Sequence, residues 1–287
     1  MLGKVKSCLR LIRALNSVMV GFAVIVGIAI AAEGDIGRVP LASLLSGFIV
    51  GFTISASSMI LNDIADIEID RINEPGRPLP SGAISLRTAW ACYYACLIVG
   101  LSASITTGLD SFAVALAGAI TGAVYDLRLK LSGLPGNIAV AFSTSLPLLY
   151  ALTVVENANR SLAVFWGMVF LSVLAREIIK DIADVEGDRA KNARTLPIMH
   201  GARTASFAAL LANIGAVCLS PIPLAYRMVR NPEGYALFIL PVDAILLYAS
   251  LLVVLRPSRV EALKAKKIML IAMLLGLIGF LVGTLPG

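Results

Sequence analysis

Residues 39–71 read VPLASLLSGFIVGFTISASSMILNDIADIEIDR. The stretch is uncharged from Val39 to Asn62. It then places four acids, Asp63, Asp66, Glu68 and Asp70, within eight residues. The opening run is long enough to cross a bilayer as a helix, for which about 17–25 apolar residues suffice. The pattern then recurs. Residues 181–189 read DIADVEGDR, identical to DIADIEIDR (63–71) at seven of nine positions, and again an apolar run leads in. Asp63 and Asp181 lie 118 residues apart.

Working outward, further uncharged runs cover 14–32, 88–109, 111–125, 131–155, 161–175, 204–226 and 268–287, and 235–255 is broken only by Asp243. The 287-residue chain is 58% hydrophobic and 15% charged, outside the composition of soluble domains. These runs predict an all-α polytopic membrane protein of about nine transmembrane helices around a central cavity. It forms one integral membrane domain over 1–287, built as two related four-helix units plus one helix. The first apolar run is too long for a cleavable signal and more spans follow it.

Lysine and arginine are retained on the cytoplasmic side of membranes. With the N-terminus cytoplasmic, all but four of the 24 basic residues fall on that side; the exceptions are Arg38, Arg160, Arg227 and Arg230. Both acidic repeats land there too, after the second and sixth spans. Internal repeats in membrane proteins often place a site where the repeats meet.

At 100° per residue, Asp63, Asp66 and Asp70 fall within about 60° of one helical face, and Asp181, Asp184 and Asp188 share that spacing. Glu68 and Glu186 point elsewhere. Six carboxylates facing one another would repel, and a hard divalent cation such as Mg²⁺, completed by water and phosphate oxygens, is the natural remedy. Each repeat continues with Asp-Arg, an Asn, and an Arg shortly before Leu-Pro. Thus Arg71, Asn73 and Arg77 are echoed by Arg189, Asn192 and Arg194. Arginines in such loops suit phosphate. The element YDLRLK (125–130) and the pair Arg176 and Lys180 bring polar groups to the ends of short spans, which predicts a polar cavity sunk below the inner surface. Acids, an implied divalent cation and basic residues beside lipid describe a site for a diphosphate with an apolar tail, such as an allylic prenyl diphosphate. Cys8, Cys92, Cys96, Cys218 and His200 are read as packing or loop residues, since no polar Cys/His cluster competes for a metal.

At these residues the chain resembles the UbiA superfamily of intramembrane prenyltransferases. Asn62-Asp63-x-x-Asp66-x-x-x-Asp70 resembles its first aspartate motif and Asp181-x-x-Asp184-x-x-x-Asp188 its second. The family also has a Tyr-x-x-x-Lys element, but here Tyr125 and Lys130 stand one residue further apart. The phrases NDIADIEIDRINEPGRPLPSG (62–82), YDLRLKLSGLPGNIAVAFSTSLPLLY (125–150) and REIIKDIADVEGDRAKNARTLPI (176–198) are similar to the archaeal ether-lipid branch. The resemblance implies nine helices, cytoplasmic loops capping a cavity, and Mg²⁺. It also implies transfer of a geranylgeranyl group from geranylgeranyl diphosphate to geranylgeranylglyceryl phosphate. On that basis Asn62, Asp66, Asp184 and Asp188 would hold Mg²⁺, and Asp63, Asp70 and Asp181 would be ligands, water holders or bases. Arg71, Arg77, Lys130 and Arg189 would contact phosphate oxygens, with Tyr125, Lys180 and Arg194 beside them. The expected partners are the two lipid substrates and the bilayer, with no nucleic acid.

Two other readings follow from the same residues. One is a related enzyme with an aromatic acceptor, a quinone or chlorophyll precursor. The other is a transporter of phosphorylated solutes, against which the one-sided charge distribution argues. The Asp-Gly-x-x-Ala-Arg opening of CDP-alcohol phosphotransferases is absent. The charge asymmetry makes a direct prediction. Cysteines introduced at Ser81 and Asn192 in a cysteine-free background should react with an impermeant thiol reagent only in inverted or opened vesicles; labelling from outside intact cells would reverse the topology.

Overall fold

The computed structural model describes residues 2–155, 161–190 and 192–286. Arg160, placed by charge above, lies outside the described residues, as do Glu156 and Lys191. Among the described residues nine helices have the length and apolarity to cross a membrane. They are Ala14–Ala31, Leu41–Ala65, Leu86–Ile105, Leu109–Leu129, Leu134–Val154, Leu162–Ala190, Leu196–Ala225, Pro232–Leu255 and Arg259–Thr284, here called the first to ninth spans.

The ends of these helices follow from local chemistry. Ser85 accepts a hydrogen bond from the Thr88 amide (3.1 Å) and caps the third span. Asn231 does the same for Gly234 (2.8 Å) ahead of the eighth, where Pro232 sits at the first helical position. Such caps satisfy amides that a new helix leaves without partners. The seventh span starts earlier than the uncharged run 204–226 suggested: a first turn from Leu196 leads to a kink at Gly201 (φ 84°). The sixth span is the longest. Its helix, Ser161–Ala190, rises about 45 Å at 1.5 Å per residue, more than a hydrocarbon core of about 30 Å. Arg176, Lys180 and the second aspartate set therefore sit on a continuous helix rather than in a loop.

The spans close into a ring. Within the first unit the second span packs on the first, third and fourth; within the second unit the sixth packs on the fifth, seventh and eighth. The fourth span hands over to the fifth as the eighth does to the ninth, and the ninth closes back onto the first and sixth. The ninth helix is thus the element that completes the second unit. Lipid-embedded helices gain little from apolar surface alone and associate through close packing of small residues. Gly27 shows this where the first and fifth spans cross: a Cβ there would lie 2.8 Å from the Ala151 Cβ.

The loops at the charged end are tied together. The Arg194 amide donates to the Leu131 carbonyl (2.8 Å), docking the loop after the sixth span on the loop after the fourth. Gly133 makes this approach possible. Its φ of 72° lies in the left-handed region, and a Cβ would fall on the Arg194 carbonyl oxygen. Gly133→Ala should cost about 1–3 kcal/mol and lower the thermal midpoint in detergent, read by loss of tryptophan fluorescence or by aggregation onset. An unchanged midpoint would show that the loop contact is dispensable.

Candidate active site at the charged end of the bundle

A cavity of about 1090 Å³ opens at the charged end. On the second span its lining recurs every turn, through Val50, Ile54, Ser58, Asn62 and Asp66. That register spans sixteen residues, or about 24 Å of depth. The deep wall is largely apolar, with Ile54, Val114, Leu148, Met168, Ile239 and Phe280, and also carries the buried Asp243, which accepts from the Ser220 hydroxyl at 2.5 Å. The mouth is ionic. The second span and the segment following it contribute Asn62, Asp66, Asp70 and Arg77. The end of the fourth contributes Tyr125, Asp126 and Lys130, and the sixth contributes Asp181, Asp184 and Asp188, with Lys180, Glu177 and Arg176 progressively deeper on the same helix. The sunken polar cavity expected from sequence is present.

The two aspartate sets are built differently. The second lies on unbroken helix. The first is split: the second span ends at Ala65, Asp66 leaves helical geometry (φ −93°, ψ 1°), and a short helix, Ile67–Asn73, carries Asp70. Six carboxylates therefore do not face one another across the cavity. Asp63 is buried and outside the lining, accepting from Arg13 at 3.0 Å and from Arg77 at 3.5 Å. Its counterpart Asp181 is also buried, and accepts from Asn137 Nδ2 at 2.8 Å. In each unit the first aspartate is thus held by a residue at the start of the unit's first span, Arg13 in one and Asn137 in the other. Asp181 still borders the cavity, and Asp66, Asp70, Asp184 and Asp188 remain on its wall.

Basic partners already offset the first set. Lys130 Nζ pairs with Asp66. Arg77 donates to Asp70 at 2.6 Å and to Glu74 at 2.8 Å. Burial raises the Asp70 pKa above its ordinary value, and the Arg77 charge only partly counters it. The Arg77 hydrogen bond holds Glu74 below its usual range. Burial works against the Arg77 cation, but Glu74, Asp70 and Asp63 together outweigh it and raise its pKa. Arg77 is therefore a strap over three acids. It reaches the cavity only alongside them.

The Tyr125–Lys130 spacing has a structural answer. Tyr125–Leu129 form a π-helical turn, in which the Lys130 amide donates to the Tyr125 carbonyl at 2.9 Å. In a π turn the i and i+5 residues take the relation that i and i+4 have in an α-helix. The extra residue is absorbed, and Tyr125 and Lys130 both line the cavity. Arg128 on the same turn is exposed and outside the lining. Asp126, also on this turn, is buried and accepts from Asn62 Nδ2 at 2.7 Å.

Three expected substrate contacts fall elsewhere. Arg71 is exposed and pairs with Glu68 at 2.9 Å; Arg189 and Arg194 are exposed; none of the three lines the cavity. The sequence phrase placed all three in loops; Arg71 and Arg189 instead stand in the last turns of helices and only Arg194 in a loop, and a shared phrase does not fix side-chain direction. Asn62, expected as a metal ligand, has its amide engaged on both sides, donating to Asp126 and accepting from Arg13 at 3.3 Å. It lines the cavity while linking Arg13, at the start of the first span, to Asp126 of the fourth. Glu186 was expected off the site and instead borders the mouth, 3.7 Å from Arg259. Residues that sequence reasoning passed over are Arg13, Asp126, Asn137 and Glu177. Asp126, Asn137 and Glu177 lie inside the quoted phrases, whereas Arg13 carries no signal beyond its place at a span's start.

Among the described residues no three acids, histidines or cysteines converge closely enough to cage a metal. The donors on the wall are nonetheless all hard oxygens on two facing helix ends. Such a set fits Mg²⁺, which takes one or two carboxylates and completes its shell with water and phosphate.

The sequence profile described as the UbiA prenyltransferase family matches residues 20–277. The digeranylgeranylglyceryl phosphate synthase of Methanococcus aeolicus is 35% identical over 98% of this chain and 99% of its own length. That of Thermococcus kodakarensis is 33% identical over 98% of each. A solved structure of a digeranylgeranylglyceryl phosphate synthase superposes with a TM-score of 0.80 at 31% identity, covering 98% of both chains. A UbiA homolog from Archaeoglobus fulgidus bound to DMAPP and Mg²⁺ shares the fold at a TM-score of 0.72 and 20% identity, over 96% of this chain and 98% of its own.

The geometry separates roles that the sequence merged. Lys130→Ala should lower kcat/KM at least a hundredfold, the order expected when a charged contact to the reacting group is lost, and Arg128→Ala by no more than about threefold. Asp63→Asn should act first on stability, leaving Arg13 and Arg77 with less compensation at a cost of about 1–3 kcal/mol, read as a lower thermal midpoint. Equal effects of Lys130→Ala and Arg128→Ala would contradict the π-turn register.

Proposed function

The chain belongs to the UbiA prenyltransferase family, and from that premise we propose that it transfers a geranylgeranyl group from geranylgeranyl diphosphate to the free hydroxyl of geranylgeranylglyceryl phosphate. The reaction makes the second ether bond of an archaeal lipid. The observation that carries this reading is one cavity about 24 Å deep, whose acid- and cation-rich mouth runs into an apolar shaft. A diphosphate head with a long hydrocarbon tail matches both halves. Relatives bearing the name digeranylgeranylglyceryl phosphate synthase align over nearly the whole chain and support the choice of acceptor. The protein is a multi-pass membrane enzyme, and its charged end faces the cytoplasm.

In the reaction the bond from the allylic carbon to diphosphate breaks, the acceptor oxygen forms the new ether bond, and its hydroxyl loses its proton. Asp66 and Asp70 on one wall and Asp184 and Asp188 on the other would hold Mg²⁺, since they are the hard-oxygen donors of the cavity mouth. The metal, when bound, neutralises charge on the leaving diphosphate. Lys130, released from Asp66 as the diphosphate binds, contacts its oxygens. Asp63 and Asp181 keep the helix ends in register through Arg13 and Asn137. The apolar shaft holds the prenyl tail and keeps water from the developing allylic cation.

Purified protein with labelled geranylgeranyl diphosphate, geranylgeranylglyceryl phosphate and Mg²⁺ should yield the digeranylgeranyl ether and diphosphate. Rigorous chelation should abolish the product and Mg²⁺ should restore it. Efficient prenylation of 4-hydroxybenzoate with no ether from the glyceryl phosphate would sink this reading of the acceptor.

A further inference from the structure

The sixth span carries a second ionic group, deeper than its aspartates. Arg176, Lys180 and Asp184 follow one another at i, i+4 and i+8 on the cavity wall. Arg176 therefore lies about 12 Å further into the bundle than Asp184. Glu177 is buried between the two cations, accepting from Arg176 Nη1 at 3.0 Å and pairing with Lys180. The Arg176 Nε is buried and has no hydrogen-bond partner among the described residues. A buried guanidinium donor without a partner is costly, and here it belongs to a side chain that lines a cavity.

The charge balance differs between the walls. At the first motif Asp63, Asp66, Asp70 and Glu74 outnumber Arg13, Arg77 and Lys130, each of which already pairs with a carboxylate. At the deeper group two cations flank one acid. The first place is suited to a cation that brings a diphosphate with it. The second is suited to an anion directly. Resting on the proposed reaction, which needs two phosphorylated substrates at once, we propose that Arg176 and Lys180, spread about Glu177, form a metal-free site for the phosphate monoester of the acceptor.

The arrangement accounts for acceptor choice. Glu177 fixes both cations in place, so little side-chain freedom is lost on binding. The guanidinium fork and the ammonium can then engage oxygens of one phosphate. An acceptor without the phosphate leaves both cations and the Nε–H without an anion, the situation that gives polar sites their strongest discrimination. The glycerol hydroxyl, a few bonds from that phosphate, is held between this corner and the acid-lined mouth, where the allylic carbon sits.

The test measures binding and turnover in wild type, Arg176→Gln and Lys180→Gln, with Arg176→Lys and thermal midpoints as controls for folding. Calorimetry with geranylgeranylglyceryl phosphate, without donor, should give a Kd at least tenfold weaker in each Gln variant, roughly the worth of one charge-assisted hydrogen bond. Arg176→Lys should fall between. The Kd for geranylgeranyl diphosphate with Mg²⁺ should stay within about twofold of wild type. In turnover, the wild-type preference for geranylgeranylglyceryl phosphate over geranylgeranylglycerol should shrink about tenfold in the variants. Weakened diphosphate binding with unchanged acceptor binding would assign the pair to the donor instead. Equal losses for both acceptors would reduce it to a structural ion pair. Absence of ether product from wild type would overturn the proposed reaction alone, since acceptor binding is read without turnover.

Discussion

The structure depends on how carboxylates are tolerated at the end of an apolar bundle. Ionised groups beside hydrocarbon are costly unless paired or wetted, and this chain brings several together. It manages them in two ways. Asp63 is withdrawn from the cavity and held by Arg13, and Asp181, buried at the cavity wall, is held by Asn137, so both become struts between neighbouring spans. Asp66 and Asp70 stay on the wall but rest against Lys130 and Arg77. The charges that serve chemistry and the charges that hold the helix ends are thus the same network. Removing a strut should disturb the fold before the reaction, and removing a wall carboxylate the reverse.

Duplication has left the halves unequal. The first aspartate set is broken by a non-helical Asp66 and wrapped by a loop that returns Arg77 over it. The second runs along straight helix, with its cations deeper on the same helix at Arg176 and Lys180. A symmetric pair of sites would treat two substrates alike. The unequal walls can treat them differently: both present acids to a metal and a diphosphate, and only the second adds deeper cations for a lone phosphate. The ninth span, which closes the second unit onto the first, keeps the two walls opposed.

Much of this was legible in the sequence. The uncharged runs fixed the number of spans, and the repeated DIAD phrase identified the two helices that carry the acids. Hydrophobic length and motif duplication are properties of the chain itself, which is why they survive without coordinates. What the sequence did not convey was direction. Arg71, Arg189 and Arg194 lie close to the acids in sequence but outside the cavity lining, because a side chain's facing depends on contacts made elsewhere. Helical periodicity put Asp63 with Asp66 and Asp70, but the helix stops between them. The extra residue between Tyr125 and Lys130 looked like a defect in the motif; a π turn, which no propensity signals, removes it. Arg13 and Asn137 were unreadable as partners because each acts across about fifty residues of sequence or nearly so.

The central claim is that the two acid-bearing helix ends act as a single metal-dependent diphosphate site. Its most direct measurement is the binding of geranylgeranyl diphosphate, without acceptor, to wild type, Asp66→Asn and Asp184→Asn across a Mg²⁺ titration. The account predicts tight binding only when Mg²⁺ is present, and loss of that Mg²⁺ dependence when either carboxylate is neutralised. Binding that ignores Mg²⁺, or that Asp184→Asn leaves intact, would contradict it.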